Sequence, residues 1–289
     1  IDAKAKTNGY HHTQIVDRAT VYENEPHLGP GATGGMIVPD EHIIDPWSTP
    51  LAFAYEALAN GAHVAVNRDV AACEPGTDVT AITSTDGQRI RARYVVNAAG
   101  LRGDELHRSL GLDGFTIRPR RGELIVFDKL ARPLLKGTVL PVPTSHTKGV
   151  LVAPTVFGNV MLGPTADDID SKSATGSTRA GIDGLLQKGR RILPALLDEE
   201  VTAVYAGLRA ATEHTDYQIS HEPDLRYVCL GGIRSTGLTA AMALAEEALS
   251  RLVECGLLAS RKEALNAIRM TPLGEVGERP YQRGGQIVC

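Results

Sequence analysis

The 289-residue chain sets 30 Lys+Arg against 34 Asp+Glu, a formal charge of −4, with 43% hydrophobic and 22% charged residues. That balance excludes a disordered chain and a dominant nucleic-acid footprint, and no apolar run approaches the roughly 18 residues of a membrane span. An aromatic share of 4% argues against base-stacking platforms, leaving a soluble, intracellular α/β-type protein of one large domain or two ordinary ones.

In chain order, residues 1–6 read as the last turns of a helix stopped at Asn8-Gly9. Residues 15–22 and 32–38 suit short strands around a turn-rich 25–31. Asp45 caps and Pro46 opens a helix with the apolar stripe Leu51, Tyr55 and Leu58, ended by Asn60-Gly61. Residues 63–70 alternate as a strand. Residues 79–84 and 89–96 flank Asp86-Gly87, a strong hairpin signal. The second arm runs into Val95-Val96-Asn97-Ala98-Ala99-Gly100 and a helix over 104–110. Strands are expected at 124–127, 139–142, 150–153 and 160–163. The small polar residues of 165–179 suggest a mobile loop. A helix over 180–197 turns Leu185, Leu186, Ile192 and Leu193 inward and kinks at Pro194. Strands at 201–206 and 227–230 lead to Gly231-Gly232-Ile233-Arg234-Ser235-Thr236-Gly237 and a long helix over 238–252. This alternation gives an α/β or α+β fold.

The features that could carry chemistry are few. A strand ending in Ala98-Ala99-Gly100 admits a close ligand or a close backbone, since nothing larger than a methyl blocks it. The glycine-rich stretch from Gly231 to Thr239 opens a helix, whose free N–H groups would suit a phosphate, a carboxylate or the pyrimidine edge of a flavin; a plain packing turn is the other reading. Arg209 and Arg234 lie in or beside apolar strands, where a guanidinium needs an anion: a ligand, or an internal partner such as Glu123 or Glu213. In the run Arg118-Pro119-Arg120-Arg121, the first two arginines are expected to lie on a solvated face. Cys73, Cys229, Cys255 and Cys289 are too far apart in sequence for a metal knuckle, and read as plain thiols in a reducing compartment. His11-His12 has no i+4 partner, and no metal site is expected.

Taken in order, Ile44-Asp45-Pro46, the hairpin, Val95 to Gly100, Arg121-Gly122-Glu123, Gly207-Leu208-Arg209 and Gly231 to Thr239 resemble the D-amino-acid-oxidase/glycerol-3-phosphate dehydrogenase superfamily of FAD enzymes. The likeness is strongest to FAD-dependent glycerol-3-phosphate dehydrogenases, then to L-2-hydroxyglutarate oxidases. It implies an incomplete Rossmann-like FAD-binding domain with an inserted, mostly antiparallel substrate domain. Residues 10–45 and 114–218 would be the substrate domain, 46–113 and 219–256 later segments of the FAD domain, and 257–289 an extension. The resemblance also implies an upstream GxGxxG unit of roughly a hundred residues that this sequence does not contain. Cys289 would begin a [2Fe-2S]-type site in a domain not present. The expectation is a fragment, with exposed apolar surface and a tendency to self-associate or to bind partner subunits.

By the same resemblance, Val70 meets the adenine, Ala98, Ala99 and Gly100 pass the ribose and pyrophosphate, and Gly231, Gly232, Thr236, Gly237, Leu238 and Thr239 lie against the flavin. Arg209 and Arg234 would bind the substrate anion, with Glu123 as acceptor of the hydroxyl proton. The implied activity is hydride transfer from a small anionic alcohol, glycerol 3-phosphate or a 2-hydroxy acid, to FAD. Gln218-Ile219-Ser220-His221 lacks the further arginine usual in phosphate-binding relatives, which keeps the hydroxy acid open. An amino-acid or amine oxidase of the same superfamily, or a module that never holds flavin, are the alternatives. No nucleic-acid partner is expected, and the location is cytoplasmic, with membrane association only through partners.

Overall fold

The computed structural model describes residues 1–142, 149–260, 262, 264–270, 281–283 and 286–288. It opens with α1 (Asp2–Thr7), β1 (Gln14–Asp17), α2 (Arg18–Asn24), β2 (Gly34–Ile37) and α3 (Ser48–Ala59). Residues 18–22 are therefore helical, not extended. Asp17 accepts the Thr20 N–H at 2.9 Å and caps a helix that β-branched content alone would disfavour. Asp45 is not the cap of α3: the helix starts at Ser48 with Trp47 before it and no side-chain capping bond, and Asp45 instead holds the preceding turn through the Trp47 N–H and the Ser48 hydroxyl. The stripe Leu51, Tyr55 and Leu58 stays exposed, and α3 buries no residue.

Next come β3 (Val70–Glu74), β4 (Thr80–Ser84) and β5 (Arg89–Ala92), an antiparallel sheet in the order β3-β4-β5. The expected strand at 63–70 is absent: Asn67 takes a left-handed φ of 57°, and pairing begins only at Val70. The Asp86-Gly87 hairpin is present. Its second arm breaks at Arg93-Tyr94, and β6 (Val95–Asn97) leaves for another sheet. Tyr94 packs there with Val228, Ala248 and Cys255, so a second core captures the chain.

After α4 (Gly103–Ser109), a five-stranded sheet forms from β7 (Ile117–Phe127), β8 (Leu151–Pro154), β9 (Val160–Gly163), β10 (Asp167–Asp168) and β11 (Val201–Thr212). Its order is β10-β7-β9-β8, with β11 paired along the whole of β7. At 139–142 only an isolated bridge between Val139 and Val152 occurs. α5 (Arg179–Ile192) covers one face, and Ile125, Phe127, Val152, Val160, Leu162 and Leu185 close the core there with Leu193 and Leu196. β12 (Gln218–Glu222), which the residue pattern alone does not mark because its polar residues hide the period, joins β13 (Tyr227–Gly231) and β6 in the order β12-β13-β6. β13 and β6 run parallel. α6 (Gly237–Glu254) packs against β13 through Val228 and Ala248, while Tyr227 and Cys229 enter a separate core with Val95, Phe115 and Ile117. A parallel pair covered on both faces is the layered arrangement expected of α/β folds. β14 (Tyr281–Arg283) and β15 (Gln286–Val288) pair antiparallel near the chain end. Cys289, the expected cluster ligand, lies outside the described residues.

Candidate cofactor cleft and anion site

A cleft of about 490 Å³ opens where β3 faces the turn into α4. Val70, Ala71 and Ala72 line one side, Ala99 and Leu106 the other, and Arg68, Arg102 and Glu105 bring charge. Size and mixed lining suit a small-molecule site. The Ala98–Gly100 turn is held by Asn97, a nearly fully buried amide. Its Oδ1 accepts the Ala99 N–H at 3.1 Å, and its Nδ2 donates to the Gly103 carbonyl and the Tyr227 hydroxyl, both at 2.8 Å. With its oxygen accepting from Asn97, Tyr227 can give its proton to His107 Nδ1 at 3.1 Å. Burial pushes the Tyr227 phenol up, so it stays protonated. Gly100 takes φ +55°, and a Cβ there would meet nothing within 4 Å, so backbone conformation demands the glycine and the space beside it is open.

Arg68, Arg102 and Leu106 escape a reading of the sequence. Arg68 precedes the strand and is tied to Asp86 at 2.7 Å, across the hairpin, a distance no local motif reports. Arg102 follows Gly100 by two residues and pairs with Glu105 at 3.0 Å. Glu105 is also held by Lys172 at 2.8 Å, and Lys172 reaches the buried Asp104 at 2.6 Å. Burial pushes the Asp104 carboxyl up, but Lys172, the Ile117 N–H and Arg108 outweigh it and hold it below the usual range.

The glycine loop is shaped by packing. A Cβ on Gly231 would meet the Phe115 ring at 2.5 Å, and one on Gly237 would meet Ile233 at 2.8 Å. Gly232 takes φ +65° against the Thr212 side chain. Thr236 precedes α6 without capping it, because its hydroxyl bonds the Tyr217 hydroxyl. The leading N–H groups of α6, at Leu238 and Thr239, are the orphan donors of a helix start. Arg234 is half-buried and donates to the Thr215 carbonyl at 2.6 Å and the His214 carbonyl at 3.4 Å, so it steadies the 214–215 turn, and among the described residues it has no carboxylate partner.

Strand alternation divides the remaining residues between two faces of the large sheet. Glu123 points to the α5 side. It is fully buried, accepts the Thr178 hydroxyl at 2.8 Å and the Thr178 N–H, and lies so close to Gly181 that a Cβ there would strike its carboxylate. This corrects its expected role: the carboxylate secures the start of α5 and lies on the opposite side from Arg209. Arg121 is nearby at 4.0 Å, with its own Nε unpaired. Arg209 crosses the other face over Gly122 and donates to the Thr165, Arg121 and Arg120 carbonyls at 2.5, 3.2 and 3.4 Å. Among the described residues no carboxylate hydrogen-bonds it, so neither Glu123 nor Glu213 is the internal ion-pair partner weighed from sequence. Burial, and then neighbouring Arg120, push its pKa down, and Asp167 and Asp168 offset this only in part.

Nor is 165–178 free. Thr165 bonds Glu123, Asp168 bonds Arg120, Ile169 donates to the Pro119 carbonyl, Lys172 bonds Asp104 and Thr178 bonds Glu123. The polar side chains that suggested mobility are the ties.

A layered sheet with a parallel pair, a cleft at a strand-to-helix turn and a large antiparallel sheet carrying a half-buried arginine are the features of a mixed helix-and-sheet protein with a small-molecule site. A family model described as FAD dependent oxidoreductase matches residues 1–251, and the chain belongs to that family. It is 31% identical to a glycerol 3-phosphate dehydrogenase of Caloramator mitchellensis over 98% of the chain and 61% of that protein. It is 29% identical to a glycerol 3-phosphate oxidase of Mycoplasma pneumoniae, over 83% of the chain and 64% of that protein. The chain thus spans about three fifths of the length of these curated relatives. Among solved structures it is similar to an FAD-bound L-alpha-glycerophosphate oxidase from Mycoplasma pneumoniae, with a TM-score of 0.81 at 27% identity over 90% of this chain and 68% of that one. No described helix is long and apolar enough to cross a membrane.

Proposed function

We propose that the protein is an FAD-dependent oxidoreductase that oxidises a small anionic alcohol, glycerol 3-phosphate or a 2-hydroxy acid. The observation that carries the substrate class is Arg209, a half-buried guanidinium on the open face of the large sheet whose hydrogen bonds among the described residues all go to carbonyls. A fork of this kind, short of an anion, recognises a carboxylate or a phosphate.

The cleft residues fit the cofactor. Val70 to Ala72 and Leu106 offer apolar walls, Ala99 and Gly100 allow close approach, and Arg68 and Arg102, each ion-paired with a carboxylate and flanked by Asp69 and Glu105, are the cations a pyrophosphate would have to recruit. The α6 start, Leu238 and Thr239, offers N–H groups to an electron-rich ring edge. Bound FAD supplies the acceptor for the hydride that leaves the substrate carbon. The chain's part is orientation: Arg209 fixes the anionic end, Arg234 steadies the loop that ends at α6, and Asn97 keeps the Ala98–Gly100 turn in place. Residues 10–45 and 114–218 serve the substrate, 46–113 and 219–256 the cofactor.

Turnover of glycerol 3-phosphate and of 2-hydroxy acids by the flavin-loaded protein, with a dye acceptor, tests this reading. Arg209→Met is expected to raise KM at least tenfold for whichever anion is oxidised. Unchanged KM would remove Arg209 from the site.

A further inference from the structure

We propose that Asp168 is a built-in counter-ion that sets how much negative charge the arginine face accepts, a specificity-determining role resting on the anion-site reading above. Arg209 and Arg120 are direct cross-strand partners on β11 and β7, on the same sheet face. Two guanidiniums so placed repel each other unless anions intervene. Arg120 has such an anion: its Nε meets Asp168 Oδ1 at 2.6 Å and its Nη2 meets Oδ2 at 3.0 Å, a bidentate fork. Arg209 has none. The face therefore holds one neutralised and one open cation side by side.

Asp168 is delivered by the short strand β10, paired with β7 at Arg120 and Arg121 and continued by the Ile169 bond to the Pro119 carbonyl at 2.9 Å. Arg120, and further Arg118 and Arg209, hold its carboxyl below the usual range, so it is charged at neutral pH. A singly charged group needs only Arg209. A dianion gains from a second cation, which Asp168 occupies while adding its own negative charge beside the first. Removing that charge, with shape retained, opens Arg120 and favours dianions over monoanions.

The test needs no turnover. Sulfate, dianionic throughout the working pH range, and acetate are titrated into the parent protein, Asp168→Asn, Arg120→Gln and Arg209→Met, with binding read by calorimetry and thermal shift. Asp168→Asn is expected to raise sulfate affinity relative to acetate about tenfold, the scale of one extra charge at the sheet surface. Arg120→Gln, which leaves Asp168 beside Arg209 without its partner, is expected to weaken sulfate binding several-fold, an opposite sign that loss of folding in one variant would not produce. A sulfate-to-acetate ratio within twofold of the parent in both variants would overturn the counter-ion role. Failure of the underlying reading has a different pattern: Arg209→Met would then leave both anions unaffected, whereas failure of the counter-ion role leaves the Arg209→Met loss in place.

Discussion

Helices α5 and α3 each carry apolar residues at helical spacing and end in different surroundings. Leu185 on α5 is fully buried against Ile125, Phe127 and Leu162, and the Thr178 hydroxyl with the Glu123 carboxylate secures the helix start. On α3 the stripe Leu51, Tyr55 and Leu58 remains exposed and Trp47 is 72% exposed. An apolar stripe at helical spacing marks a face that can pack; what packs on it is a property of the rest of the fold. The α5 side is where the stability resides. The α3 side, together with exposed Val201, Val204 and Tyr205 at the start of β11, presents an apolar surface of the kind that favours association.

Substitutions can break or sharpen that contrast, beginning with the largest effect. Lys172→Met leaves Asp104 in the interior with Arg108 as its remaining cation, and should cost about 3–5 kcal/mol in chemical denaturation, the penalty for breaking a buried pair. A loss below about 1 kcal/mol would mean that Arg108 alone suffices. Leu185→Ala should cost about 2–5 kcal/mol by opening a cavity under α5. Gly231→Ala, forced against the Phe115 ring, should cost about 1–3 kcal/mol; a neutral result would restore a ligand-approach reason for that glycine. Leu51→Ser and Leu58→Ser should stay within about 0.5 kcal/mol while lowering self-association in sedimentation. A large loss there would show that α3 is buried in solution.

The pH dependence follows from Asp104. Its carboxyl lies below the ordinary value in the folded protein, so its contribution is present above the unfolded pKa of about 4 and is lost as pH falls through the folded pKa. Stability should therefore fall below about pH 4, and less steeply in Lys172→Met, when unfolding midpoints are followed by circular dichroism.

Much of the fold was legible because local signals and tertiary contacts agree there. The Asp86-Gly87 hairpin, the strand into Ala98-Ala99-Gly100 and the helix after the glycine loop are all present. Residues 18–22 failed because one capping aspartate outweighed the strand-like side chains, and 63–70 failed because Asn67 turns left-handed. The 165–178 segment failed for a more general reason. Its composition is that of a loop, and its order comes from partners far along the chain, Arg120 and Asp104 among them. The same limit applies to the site. Val70 and Ala99 were indicated by motif order and do line the cleft, whereas Arg68 and Arg102 emerge only when the hairpin and α4 meet. Glu123 carried an attractive motif, yet strand parity aims it at α5, a fact visible only once the register with β11 is known.

The central claim is that the cleft between β3 and α4 holds FAD. The most direct measurement is to incubate the full chain with excess FAD, desalt, and read the flavin absorbance that stays with the protein, in parallel with Gly100→Val. Retention near one flavin per chain by the parent is the predicted result, with loss in Gly100→Val at a temperature where that variant, though its melting temperature falls because valine is strained at φ +55°, stays folded. Flavin that washes out of the parent protein, or that Gly100→Val retains equally well, would contradict it.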